Sequence, residues 1–364
     1  MHKRLRSASV AALILFASCR SAPSVVTFGA AGPWNEDYGA MNRRGIELAL
    51  EELAARASHG QPRIRVLFRD DGGDGMRAVA IAEEFVGQHE VSAVIGHVNS
   101  GAMVAAARVY DGHLAAVATT ASTPALTGIS PWTFRVISSD SMNGIAIARF
   151  AMRRGWRRAA ILYENNAYGR GLADAFVRGF KGEILSVDPI AEGTSQDLSP
   201  FVTYFKQRGA EMVFVAGTGA SGAAFLREAR RQGLTAHLVG GDGWSVLASD
   251  TSNAEGIYVG APFTAEDKRP AAHRFVDRFE KRYGITPDGN AALAYDATML
   301  LADAAEHVGA DRRRIRDYLA GLSASGAYVG VTGPIAFSTD GDPLGKAIVM
   351  TRIQHGALAL EDAQ

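Results

Sequence analysis

Cysteine is almost absent from this 364-residue chain: Cys19 is the only one. No internal disulfide framework is available, so a folded core must hold the protein together alone. Net charge is absent too, because 38 Lys and Arg balance 38 Asp and Glu. That balance removes the general attraction to nucleic acid or anionic surfaces that a basic protein has, and no nucleic-acid partner is expected. The nine histidines show no H-E-x-x-H or paired spacing of a metal site. Ser100 lacks a G-x-S-x-G frame, and Ser221 misses it because Ala223 holds the last glycine position. Short repeats and low-complexity linkers are also missing. Asp70-Asp71 reads as a solvated turn beside Gly72-Gly73 rather than a metal pair, and Arg312-Arg313-Arg314 as a solvated helix face. What remains is ordinary globular material, 47% hydrophobic and 21% charged, long enough for one to three domains. No catalytic constellation, metal or cofactor follows from it.

The amino terminus reads as a targeting segment. His2, Lys3, Arg4 and Arg6 precede an apolar run from Val10 to Phe16 that is too short to span a bilayer. Ala17, Ser18 and Cys19 follow. The Phe-Ala-Ser-Cys ending resembles a bacterial lipoprotein signal, with Phe16 where such signals usually carry Leu. The resemblance implies that residues 1–19 form a signal ending at a lipidated Cys19, whose acyl chains would anchor the protein stably. It also implies a location in the periplasm or at the cell surface. An ordinary signal peptide with an incidental cysteine is the other reading.

Beyond a short tether, short apolar runs alternate with amphipathic stretches. Strands are expected at Ser24–Ala30, Arg63–Arg69, Val91–Gly96 and Leu114–Thr119, with helices at Tyr38–Ser58, Met76–Val86 and Gly101–Tyr110 between them. The series restarts after Arg135. Helices are expected at Asn143–Arg154, Gly171–Lys181, Leu198–Gln207 and Ala223–Gln232, and strands at Ala159–Tyr163, Glu183–Pro189, Met212–Ala216 and His237–Gly240. Repeated β-α-β units imply parallel sheets with helices on both faces. The tail differs, with helices at Ala271–Tyr283, Ala291–Val308 and Arg312–Leu322, then weak strands at Ile335–Phe337 and Ala347–Ile353.

In open parallel sheets, ligands sit at the carboxyl ends of the strands. Those places carry Trp34 and Tyr38, then Asn99-Ser100, then Ala121-Ser122-Thr123; in the second half they carry Glu164 to Tyr168-Gly169 and Gly241-Asp242-Gly243-Trp244. Hydroxyls, an acid and aromatics thus recur where a cleft should be. Each has a plainer reading as well. Ser100 and Thr123 are good helix caps, Asp242 suits a turn between glycines, Tyr38 and Tyr168 could pack at helix starts, and Trp244 could belong to a core.

In this order and spacing, from Gly29 to Gly333-Pro334-Ile335-Ala336-Phe337, the motifs resemble periplasmic binding proteins of the leucine/isoleucine/valine type. The resemblance implies an α/β fold of two Rossmann-like lobes with parallel sheets joined by three crossovers. It places residues 24–138 with 265–338 in one lobe and 139–264 with 339–364 in the other. It implies an amino acid or analogue held between them for an ABC-type transporter permease. Its carboxylate would meet Ser100 and Thr123, at a helix start where free N–H groups favour an anion. Its ammonium would meet Asp242, the Ala121 carbonyl and the Thr123 hydroxyl, with Ser122 beside them. Tyr38 and Tyr168 would wall the cleft, and Trp34 and Trp244 are added by proximity. The chain departs from its relatives in three places. Gly73 and Asn99 stand where some carry a cysteine pair, Asp242 is one methylene shorter than the usual Glu, and Thr218 stands near an aromatic position.

Two other uses stay open. A sensor that passes its ligand state to a membrane partner would look the same. Gly217-Thr218-Gly219-Ala220-Ser221-Gly222 also matches the G-x-G-x-x-G of dinucleotide-dependent enzymes, though it sits mid-chain behind an export signal.

Overall fold

The computed structural model describes residues 25–56, 61–193 and 195–361. Cys19 and the expected signal lie outside the described residues. The first run is β1 (Val25–Gly32), α1 (Asp37–Arg56), β2 (Arg63–Asp70), α2 (Gly75–Gly87), β3 (Val91–Gly96), α3 (Ser100–Tyr110), β4 (Ala115–Ala118) and β5 (Thr133–Arg135). These strands form a wholly parallel sheet in the order β2-β1-β3-β4-β5. The second run is α4 (Asp140–Arg153), β6 (Arg158–Glu164), α5 (Ala167–Gly179), β7 (Glu183–Ile190), α6 (Ser199–Gln207), β8 (Met212–Ala216), α7 (Gly219–Arg231), β9 (His237–Gly240) and β10 (Tyr258–Ala261). Then come α8 (Pro270–Tyr283), α9 (Gly289–Val308), α10 (Arg312–Ala320), a hairpin of β11 (Tyr328–Gly330) and β12 (Gly333–Ile335), and finally β13 (Val349–Gln354) and β14 (Ala357–Leu360). The second sheet runs β14-β13-β10-β9-β8-β6-β7, parallel except where β13 and β14 join.

The apolar runs explain the layering. β3 and β4 are buried along their whole length, as strands covered on both faces must be. β2 and β7 are half-exposed edge strands, and Pro189 is tolerated in β7 because an edge has unpaired donors to spare. The chain passes between the sheets three times: from β5 to α4, from β10 to α8 and from β12 to β13. The late helix α9 returns to the first sheet, where Leu293, Leu300 and Leu301 join Val26 and Phe28 in one core. The result is a two-lobed α/β fold with parallel sheets.

Some local expectations need correction. Four strands of three or four residues, β5, β10, β11 and β14, were not expected from the sequence. Asp71 is not solvated. It is fully buried, 2.6 Å from Nδ1 of His97, whose Nε2 meets the Tyr110 hydroxyl. Arg312 is only half-buried surface, because its guanidinium donates to the carbonyls of Val86, Gln88 and Val91. Arg313 and Arg314 are exposed, as expected.

Candidate functional site

A cleft of about 340 Å³ lies between the two sheets. Its walls come from strand carboxyl ends on both sides. Gly72, Gly73, Asn99, Ser100 and Thr120 follow strands of the first sheet, and Glu164, Tyr168, Thr218, Asp242 and Gly243 follow strands of the second. Four residues singled out from the sequence are on this wall: Tyr38, Ser100, Tyr168 and Asp242. Gly73 and Asn99 are neighbours, since a β-carbon on Gly73 would sit 3.3 Å from Cγ of Asn99.

Ala121, Ser122 and Thr123 are buried one layer back. The Thr123 N–H donates to Ser100 Oγ at 3.3 Å, and Thr123 Oγ1 caps the short 3-10 turn Pro124–Leu126 through the Ala125 N–H. Buried Arg135 holds this loop in place. It donates to the carbonyls of Ser122 and Thr123 at 3.0 and 2.8 Å and pairs with Asp342 of the third crossover.

Neither tryptophan reaches the cleft wall. Trp34 packs edge-on against Phe68, ring centroids 5.7 Å apart, in the core of the first sheet. Trp244 is wholly buried in the core of the second. Glycines make room for it: a β-carbon on Gly240 or Gly222 would come within 2.2 or 2.5 Å of the indole. A large apolar ring gains more from such a slot than from a wet wall.

The acid end of the site is in the second lobe. Asp242 Oδ1 accepts the Tyr168 hydroxyl at 2.9 Å, and the same hydroxyl accepts the Gly243 N–H at 3.2 Å. The Asp242 side chain keeps some contact with cleft water, yet enough protein encloses it that burial pushes its carboxyl up to about 6. Asp140, at the start of α4, is fully buried. Its Oδ2 accepts the Ser122 hydroxyl at 3.0 Å, while Oδ1 has no partner among the described residues. Burial first, and then the charge of Asp242, hold the Asp140 carboxyl well above the usual range. Asp140 is not on the cleft wall, so Asp242 is the acid of this pair that faces the cleft. Asp140 was missed from the sequence because it sits in a crossover, away from any strand end.

Glu164 closes the other end. It is buried at the tip of β6, accepts the Thr218 N–H and hydroxyl on Oε1 at 3.0 and 2.7 Å, and takes Asn166 on Oε2. This bears on the glycine motif at 217–222. α7 begins at Gly219, and the anion at its entrance is the protein's own carboxylate. Gly219 and Gly222 admit Val246 and Trp244, so helix packing accounts for both.

A two-lobed α/β protein with a polar cleft built from strand ends of both sheets, and acids poised for a cation, is a small-solute binder. The family follows from the comparisons: the chain belongs to the periplasmic binding protein family, whose profile matches residues 27–357, and the family implies an extracytoplasmic location. It is 26% identical to Leu/Ile/Val-binding protein homolog 1 of Brucella abortus (strain 2308), over 98% of both chains. Among solved structures it resembles the branched-chain amino acid transporter substrate-binding protein of Streptococcus pneumoniae in complex with isoleucine, with a TM-score of 0.84, 25% identity, and 92% of this chain and 98% of that one covered. An ABC transporter substrate-binding protein of Desulfitobacterium hafniense in complex with Leu gives a TM-score of 0.79 at 27% identity, over 93% and 100% of the chains.

Proposed function

We propose that this protein captures an amino acid in the interlobe cleft and delivers it to the permease of an ABC-type transporter, without catalysing a reaction. The observation that carries the reading is the pairing of two opposed walls. Ser100, with the Thr123 amide behind it at the start of α3, offers donors to a carboxylate. Asp242, on the cleft wall, offers the counter-charge to an ammonium, with Asp140 buried behind it. A ligand that bridges both walls favours the closed arrangement, because only there does it meet both. In this reading residues 24–138 with 265–338 and residues 139–264 with 339–364 move as units about the three crossovers. Tyr38 and Tyr168 flank the ligand, the Ala121 carbonyl and Ser122 support the loop, and Cys19 carries the lipid anchor.

The test is a thermal-shift screen of the purified protein against amino acids, amides and aromatic acids, since a ligand that binds the folded state raises the melting temperature. At least one α-amino acid should raise it by several degrees at millimolar concentration. A response confined to ligands lacking an α-ammonium group refutes the assignment.

A further inference from the structure

Among the described residues, the wall of the cleft holds four carboxylates, Glu36, Glu164, Glu192 and Asp242, and no Lys, Arg or His. Its aliphatic contribution is small: Val98 and Ala220. Cleft pockets for aliphatic side chains are lined mainly by apolar groups, and this one is not. We infer that the ligand is an amino acid whose side chain ends in a cation, held between Glu164 and Asn99 while its α-ammonium meets Asp242. This inference rests on the amino-acid reading above and specifies its substrate class.

Three observations place the second cation. Asn99 Nδ2 donates to the Tyr38 hydroxyl at 2.8 Å, which leaves Asn99 Oδ1 buried with no donor among the described residues. A guanidinium or ammonium offers donors only, so it satisfies that oxygen without creating a new vacancy. Glu164 faces the same region from the opposite lobe: the Tyr38 hydroxyl is raised to about 12, first by burial and in part by the charge of Glu164. No cationic side chain pairs with Glu164 among the described residues. Glu164 is already buried and accepts three neutral donors, so a ligand cation beside it would supply the counter-charge it lacks.

The spacing suits such a ligand. Asp242 follows β9 and Glu164 ends β6, with β8 between them. Two strand spacings put these positions about 10 Å apart. A ligand with two cationic groups separated by a few methylenes can reach between them. Exposed Glu36 and Glu192 at the rim would add attraction for a cationic ligand during approach.

Isothermal titration calorimetry with charged and neutral isosteres tests the assignment: L-lysine against L-norleucine, and L-arginine against L-citrulline. At least one charged member should bind about tenfold tighter than its neutral partner. Glu164→Gln should remove that preference, weakening the charged member about tenfold more than its neutral partner. Because Glu164 also holds Thr218, the rim double variant Glu36→Gln, Glu192→Gln provides a second arm that leaves the buried network intact. It should slow association of the charged ligand and flatten its salt dependence. Equal or tighter binding of the neutral isosteres in the native protein overturns the inference and leaves the amino-acid reading standing. Failure of every α-amino acid to bind removes both.

Discussion

Asp242→Asn should stabilise the empty protein while destroying its ligand response. Burial raises the Asp242 carboxyl from 3.8 to about 6. The folded state therefore holds this proton more tightly than the unfolded chain does. The resulting stabilisation is complete below the unfolded value and is lost as pH rises through about 6, so at neutral pH the ionised acid is a cost of folding. A shift of about two units corresponds to about 3 kcal/mol. Cleft water reaches part of the side chain and screens it, so about 1–2 kcal/mol is expected. For a protein of this size that is a rise of roughly 1–3 °C in melting temperature. Asn keeps the Tyr168 contact, because its amide oxygen can accept the same hydroxyl, and it relieves Asp140 of a neighbouring charge. The assay is differential scanning fluorimetry of both proteins at pH 7.5 and pH 4.5, with and without the amino acid found by screening. The variant should melt higher at pH 7.5, the gap should shrink at pH 4.5, and its ligand affinity should fall by about one to two orders of magnitude. A gap of the same size at both pH values, or none at pH 7.5, would refute the electrostatic reasoning.

Two glycines lie against side chains that leave no room for a β-carbon. A β-carbon on Gly171 of α5 would lie 2.6 Å from Cδ of Pro124 in the opposite lobe. Gly171→Ala should therefore hold the lobes apart and weaken ligand binding about tenfold with little change in the melting temperature of the empty protein, measured by calorimetry and thermal shift together. Gly222→Ala meets the Trp244 indole at 2.5 Å and should cost about 1–3 kcal/mol of stability in urea unfolding, as overpacking does. No stability loss in Gly222→Ala would mean that the glycine serves something other than the tryptophan.

The alternation of strands and helices was legible because β1, β3 and β4 are compact apolar runs and β2 alternates apolar with charged residues, with amphipathic helices between them. β5 was not, because Thr133–Arg135 has three residues and ends in a buried arginine. Its partner Asp342 comes from the far end of the chain, and no local pattern announces such a pair. The strand-end rule found Tyr38, Ser100, Tyr168 and Asp242 on the cleft wall. It could not tell which way a turn residue faces, and Trp34 and Trp244 both turn inward. Glu164 belonged to a segment already singled out, but only the fold shows that its carboxylate fills the entrance of α7. Asp140 has no sequence signal, since its meaning depends on Asp242 arriving beside it.

The threefold passage of the chain between lobes has a consequence for how the protein is made. The core of the first sheet needs Leu293, Leu300 and Leu301 from α9 beside Val26 and Phe28 from β1. A growing chain that has produced only the first five strands has no finished lobe. Domains otherwise tend to fold as units while synthesis proceeds. Here the ordering of the polypeptide postpones that event until most of the molecule exists. A chain that must be threaded through a membrane pore stays threadable for longer, and the same wiring that joins the lobes keeps the first lobe unfinished until late in synthesis.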